Sequence, residues 1–217
     1  MIDPRFAILG ALITFSGCAV YAVQTVRGRT QPNRVTWAMW TVAPLVAFAA
    51  ELTEHVGLDA LMTFAVGFGP LLVVGASFLD PKAYARLTRL DLACGGLSVL
   101  ALVGWAVTGR GNVAICLSIL ADLFAATPTV RKAYREPHTE SVAAFLADIV
   151  GAVITLLTIR AGAWGFASAA FPAYILVGAS TIAVLILMPR PAADAIGGGG
   201  TDATLSRRRA RRAAPGG

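Results

Sequence analysis

Long apolar segments and short polar gaps alternate along the chain. Seven segments are predominantly apolar, at residues 5–26, 34–51, 58–80, 89–108, 111–130, 141–159 and 168–188. An α-helix rises about 1.5 Å per residue, so roughly 20 apolar residues cross the ~30 Å hydrocarbon core of a bilayer. The pattern therefore predicts an all-α polytopic membrane protein with seven transmembrane helices.

The composition agrees with a membrane location. Hydrophobic residues make up 57% of the 217 positions and charged residues 14%, whereas an average soluble domain carries roughly 25% charged residues. This excludes an ordinary water-soluble domain. The three cysteines are scattered through apolar segments without the CxxC spacing of a metal site. We therefore expect no disulfide framework, no metal and no cofactor.

The basic residues predict the orientation of the helices. Fifteen of the 18 Lys and Arg lie in or beside the gaps after the first, third and fifth segments or in the C-terminal tail, and the exceptions are Arg5, Arg110 and Arg160. Cytoplasmic loops of membrane proteins keep such an excess. The N-terminus is therefore predicted outside and the C-terminus in the cytoplasm. Sixteen of the basic residues are Arg, a preference typical of GC-rich genomes, which favours a bacterial cell membrane.

The C-terminal segment 190–217 lacks apolar periodicity, which predicts a disordered cytoplasmic tail. Its run RRRARR at 207–212 has two interpretations. It either attracts anionic lipid of the cytoplasmic leaflet or is a solvated run of charge that reinforces the orientation. Without interleaved aromatic residues it is a poor nucleic-acid site, so the expected partners are membrane lipids and a small-molecule solute.

Short sequences recur at a nearly constant offset. Thr25-Val26-Arg27 returns 104 residues later as Thr129-Val130-Arg131, and the VGAS sequence at 74–77 returns 103 residues later at 177–180. The first three segments thus correspond to the last three, and the fourth restores the orientation between them. This predicts a parallel 3+1+3 repeat: residues 1–81 form the first triple-helix repeat, 82–108 a linker helix and 109–189 the second repeat. The VGAS glycines, Gly75 and Gly178, are interpreted as close contacts between helices.

Two equivalent stretches carry a resemblance to a known family. They are QTVRGRTQPNRVTW at Gln24 to Trp37 and PTVRKAYREPHTES at Pro128 to Ser141. With the seven-helix 3+1+3 pattern, they resemble the SWEET and PQ-loop membrane proteins, although neither stretch contains the literal PQ dipeptide. The resemblance covers roughly residues 5–188. It implies a transporter with a central site near the membrane midplane, between two triple-helix halves.

Two carboxyl groups stand out because ionisable residues in hydrocarbon are costly and often functional. Asp122 lies in the fifth segment and Asp148 in the sixth, each roughly 10–14 Å from the predicted cytoplasmic end. Consecutive antiparallel helices would bring the two together, and such a pair suits binding and release of a proton. The alternative is that each accepts hydrogen bonds from Ser or Thr and ties the helices together.

Polar and aromatic residues at helical spacing predict the lining of a pathway. Thr14, Cys18 and Tyr21 share one face of the first segment, and Ser118 lies on the equivalent face of the fifth. Small hydroxyl groups also serve as interhelical hydrogen bonds. Trp37 and Trp40 fall on one face of the second segment, where an indole stacks on a solute, although Trp37 also fits an interfacial belt.

Prolines within or near the segments are candidate hinges, because Pro removes a backbone hydrogen bond and kinks a helix. They are Pro44, Pro70, Pro128 and Pro172. Membrane helices also tolerate Pro without such a role.

The favoured function is transport of a small solute by alternating access, with or without coupling to protons. Few Asn or Gln lie in the segments, which favours a small or partly apolar solute over a polyhydroxylated one. The alternative is a non-transporting receptor or lipid-interacting scaffold of the same fold. An enzyme is not expected, because His55 and His138 lie in gaps on opposite sides and no Ser, Cys or carboxylate forms a recognisable nucleophile constellation with either.

Overall fold

The computed structural model describes residues 2–79, 88–108 and 110–188, so the predicted tail and the basic residues Lys82 and Arg86 lie outside the described residues. Seven α-helices are found there: α1 Phe6–Val26, α2 Arg34–Thr53, α3 Ala60–Ala76, α4 Arg89–Thr108, α5 Gly111–Arg135, α6 Val142–Thr158 and α7 Phe166–Leu187. Two short 3₁₀ turns, Pro137–Thr139 and Ala161–Ala163, precede α6 and α7. The all-helical class is confirmed for this part of the chain.

Four of these helices, α1, α2, α5 and α7, are long and apolar enough to cross a membrane. The helices α3 and α6 are apolar and 17 residues long. Large apolar side chains on the outside of the bundle remain exposed, among them Leu12, Leu71, Leu97, Leu123 and Val177. An apolar surface this extensive is typical of a protein surrounded by lipid.

Two helices continue past the C-terminal ends of their apolar segments. The helix α5 continues from residue 130 to Arg135, and Pro128 lies inside it. Lys132 and Arg135 occupy its last turn, where positive charge is favourable beside the free carbonyl groups. The helix α2 continues past residue 51 to Thr53, and Glu51 near its end is buried. The Glu51 carboxylate accepts a 3.0 Å hydrogen bond from Thr63 of α3.

The start of α2 is fixed by Asn33. Its side-chain oxygen accepts hydrogen bonds from the backbone N–H groups of Val35 and Thr36, at 3.0 and 3.2 Å. Such an N-cap satisfies amide groups that have no partner within the helix. The Asn33 amide nitrogen donates a 2.7 Å hydrogen bond to Asp91 in the first turn of α4. Both side chains are buried, so this bond fastens α4 to the start of α2.

The packing of the helices encloses a central space. The helix α3 packs against both α1 and α2, and α7 packs against both α5 and α6. In turn α1 packs against α6, and α2 packs against α5. These contacts close six helices into a ring in the order α1, α3, α2, α5, α7, α6, and α4 packs against α5 and α2.

Small residues bring α1 and α6 close together. A Cβ atom added at Gly17 would lie 2.4 Å from the Ala147 Cβ atom, and one added at Gly151 would lie 2.2 Å from the Thr14 hydroxyl oxygen. Small side chains are what allow membrane helices to approach this closely. By contrast, a Cβ atom at Gly75 or Gly178 would have nothing within 4 Å. The interpretation of the VGAS glycines as close helix contacts was therefore wrong.

Candidate functional site

A cavity lies among the ring helices. It contains about 530 Å³ of empty space, including its opening. Its wall includes Val66 and Pro70 of α3 and Ile175 of α7. The predicted site residues that line it are Cys18, Trp37, Trp40, Asp122 and Asp148. Five predicted positions from four helices therefore meet at one place.

Asp122 is the most enclosed carboxyl group of the cavity wall, with 3% of its surface exposed. The Tyr174 hydroxyl of α7 donates a 2.6 Å hydrogen bond to its Oδ2 atom. Its Oδ1 atom is buried and has no hydrogen-bond partner among the described residues. Because a buried, unpartnered carboxylate oxygen is costly, this atom is suited to bind a proton or a cation.

Asp148 lies on the same wall as Asp122, on the next helix along the chain. Its Oδ1 atom is also buried without a partner in the described part of the chain. The two carboxyl groups and the Cys18 thiol line the same cavity. The predicted meeting of the two aspartates is thus present in the structure.

The wall formed by α2 is aromatic. The rings of Trp37 and Trp40 meet edge to face, with 5.2 Å between their centroids. Trp37 packs on Tyr21 at 4.5 Å, and Trp40 lies against Phe145 at 6.2 Å. Trp37 is 2% exposed, so it faces the interior of the bundle and not the lipid interface. The Trp40 Nε1 atom is buried, and no acceptor for it is found in the described residues.

The other predicted site residues lie outside the described cavity wall, except for Pro70. Thr14 and Ser118 are fully buried, and the structure shows no hydrogen-bond partner for either hydroxyl within the described ranges. Pro44, Pro128 and Pro172 lie inside α2, α5 and α7. Whether any of the four prolines acts as a hinge stays a prediction.

Tyr21 joins a polar network that the sequence did not predict. Its hydroxyl donates a 2.6 Å hydrogen bond to Glu140, and the Glu140 carboxylate forms a 2.7 Å ion pair with Lys132. Lys132 also donates to the backbone oxygen of Gln31, whose own N–H donates to the Thr139 oxygen at 3.0 Å. These contacts, here called the Glu140 network, connect the chain after α1 to the turn between α5 and α6.

The Glu140 network lies next to the cavity, because Tyr21 packs directly on Trp37 of the cavity wall. Glu140 is 8% exposed. Burial raises the pKa of its carboxyl group above the usual value, and the Lys132 ammonium and the Tyr21 hydroxyl oppose that rise. The ion pair therefore offsets the cost of enclosing a carboxylate at this end of the bundle.

These features define a cavity suited to binding. It combines two carboxyl groups with an aromatic wall, and the described residues that line it include no Lys or Arg. Comparison with known proteins found no matching family model, no matching curated protein and no matching solved structure.

Proposed function

We propose that the protein is a membrane transporter of the SWEET-like class that carries a small solute by alternating access. In this proposal all seven helices span the membrane, α1–α3 and α5–α7 form two parallel triple-helix halves, and α4 links them. Asp122 and Asp148 couple transport to protons. The proposal rests above all on the cavity that both carboxyl groups line, within the ring that the two halves form.

The contacts between the halves support the parallel repeat. The offset of 104 residues relates Gly17 to Ala121 and Ala43 to Ala147. Gly17 of α1 approaches Ala147 of α6, and Ala43 of α2 packs with Ala121 of α5. Equivalent residues therefore form two of the close contacts between the proposed halves. A twofold axis along the membrane normal relates such pairs of equivalent contacts.

Rocking of the halves would expose the cavity to each side in turn. The Glu140 network connects the halves at the predicted cytoplasmic end, because Tyr21 belongs to the first half and Glu140 to the second. Opening that end requires these bonds to break. Prolines inside α2, α3, α5 and α7 leave backbone carbonyls without their usual partners, which eases bending.

A scaffold that does not transport is the alternative. In that case the aspartates would accept hydrogen bonds from Ser or Thr and fasten the helices together. Instead, the donor to Asp122 is Tyr174, and one buried oxygen of each aspartate has no partner in the described part of the chain. Both face a cavity. These observations favour a solute site.

Flux into proteoliposomes tests the proposal. We expect uptake of one class among sugars, amino acids, organic acids and amines, and we expect it to depend on a proton gradient. Asp122→Asn and Asp148→Asn should each reduce that uptake at least about tenfold, the usual effect of losing a charged hydrogen-bond partner. Asp59→Asn is the matched control, because Asp59 accepts a hydrogen bond from Thr158 away from the cavity. Absence of flux from folded protein would contradict the proposal.

The proposed orientation is tested with single cysteines. Gly57→Cys and His138→Cys, in a chain whose three native cysteines are replaced by Ala, place a thiol at an exposed position beyond opposite ends of the helices. We expect a membrane-impermeant thiol reagent to label the first in intact cells and the second only after permeabilisation, because loops rich in Lys and Arg stay inside. The reverse pattern would place the C-terminus outside.

A further inference from the structure

We propose that the solute is a small organic ammonium ion, whose charge is held between Asp122 and Asp148 and whose carbon atoms lie against Trp37 and Trp40. This inference rests on the proposed function, since it names the class of solute for the same cavity. It follows from the charge of the cavity, from the chemistry of its wall and from its position between the halves.

The negative charge of the two carboxyl groups in the cavity wall requires a positive counter-charge. Asp122 and Asp148 each keep a buried oxygen without a partner, and the described wall residues carry no positive charge. The other titratable groups that face the two carboxyl groups are the Cys18 thiol and the Tyr174 phenol, and neither supplies a positive charge. A buried carboxylate needs a counter-charge or a proton. An ammonium ion or a proton therefore satisfies the site, and an anion does not.

The aromatic wall distinguishes an organic cation from a metal ion. Hard metal cations prefer several oxygen ligands, whereas much of this wall consists of the side chains of Trp37, Trp40 and Phe145. The face of an indole attracts an organic cation, and the effect strengthens where water is excluded. The free Trp40 N–H also offers a hydrogen bond to an oxygen of the solute. A small amine that carries a hydroxyl group matches the carboxyl groups, the indole faces and the Trp40 N–H.

The indole contacts and the carboxyl contacts come from different halves. The indoles of Trp37 and Trp40 belong to α2, and the carboxyl groups of Asp122 and Asp148 belong to α5 and α6. A bound ammonium ion therefore contacts both halves at once. Cation and proton compete for the same carboxylate oxygens, so entry of the cation releases a proton. Exchange of an organic cation against protons follows, and cation binding weakens as the pH falls.

Binding to the purified full-length protein tests the inference without requiring transport. The probes are choline, ethanolamine and 3,3-dimethylbutan-1-ol, which is the uncharged carbon analogue of choline. Binding is followed by tryptophan fluorescence and by the thermal midpoint of unfolding, which a ligand of the folded state raises. We expect choline or ethanolamine to bind saturably and the uncharged analogue to bind at least about tenfold more weakly, as expected when a charge-assisted contact is lost.

The variants locate the site. Asp122→Asn and Asp148→Asn should each weaken binding about tenfold or more, and Trp40→Leu should weaken it about threefold to tenfold. Asp59→Asn should bind as the original protein does. The midpoint of each variant without ligand shows whether it is folded. Equal binding of choline and its uncharged analogue, or full binding by the folded aspartate variants, would overturn the inference.

Binding and flux together separate the two proposals. Flux of a sugar or an organic acid, with no binding of either ammonium probe, would overturn the ammonium site and leave the transporter standing. Saturable binding that depends on the aspartates, without flux of any solute, would support the ammonium site and favour a receptor.

Discussion

Glu140→Ala is expected to lower the free energy of unfolding by about 3 kcal/mol, the lower end of the usual cost of breaking a buried ion pair. The change removes the ion-pair partner of Lys132 and the acceptor of the Tyr21 hydroxyl in one step. The Lys132 side chain is 12% exposed and lies at the end of the bundle. Some of the cost is therefore recovered as its ammonium group turns towards water.

Unfolding in detergent measures this effect, and Glu136→Ala is the matched control. Glu136 is an exposed carboxylate in the same turn, so its removal should change the stability by less than about 0.5 kcal/mol. Adding Lys132→Met to Glu140→Ala should cost less than the sum of the two single changes, because the pair is removed together. A loss as small as that of Glu136→Ala would show that the Glu140 network does not stabilise this end of the bundle.

Gly17→Ala is expected to destabilise the protein by about 1–3 kcal/mol, the usual cost of overpacking a well-packed interior. The new Cβ atom would lie 2.4 Å from the Ala147 Cβ atom and 3.1 Å from the Ala144 Cα atom. Since neither atom belongs to a flexible side chain, the two helices would have to separate. In the middle of a helix the exchange of Gly for Ala normally stabilises by roughly 1 kcal/mol, so the expected sign is opposite to the intrinsic one.

Two further variants establish the cause. Gly75→Ala should leave the stability unchanged or slightly higher, because its Cβ atom would meet nothing within 4 Å. Ala147→Gly should recover part of the loss when it is combined with Gly17→Ala, because it removes the atom in closest contact. Unfolding in detergent measures all three. A loss that Ala147→Gly leaves unchanged would argue against steric crowding between α1 and α6.

The sequence predicted the helices better than their contacts. Long apolar runs mark helices directly, and a carboxyl group inside such a run is conspicuous, which is why Asp122 and Asp148 were found. The partner of Asp122, Tyr174, was missed, because a tyrosine in an apolar segment is unremarkable until its hydroxyl has an acceptor.

The Glu140 network was missed for a different reason. Lys132 and Glu140 lie in a polar stretch, where charge indicates the orientation of the helices but not the contacts of individual side chains. Their third partner, Tyr21, is 119 positions from Glu140 along the chain. The proposed repeat relates equivalent positions of its two halves, but these partners are not equivalent positions, so the offset does not predict their contact.

Glycine alone also predicts little about close packing. Gly17 and Gly75 are both helical, yet only the first faces a neighbouring helix closely. A glycine indicates a close contact between helices only when its Cα atom faces a neighbouring helix, and the sequence does not show which way it faces. The ends of α2 and α5 were placed too early for a different reason. The end of an apolar run is not the end of a helix, and these helices continue to Thr53 and Arg135.

The cavity is acidic on one side only, and this asymmetry is a property of the proposed repeat. The 104-residue offset relates Asp122 to Cys18 and Asp148 to Pro44. A symmetric dimer of the first half would thus place cysteine and proline at all four positions, and one of the second half would place four carboxyl groups there. A dimer of the first half would lack charge at these positions. A dimer of the second half would concentrate negative charge that hydrocarbon cannot support. In the proposed repeat, joining two unlike halves in one chain allows a single pair of acids to face the indoles of Trp37 and Trp40, a combination that neither half supplies as a pair of identical copies.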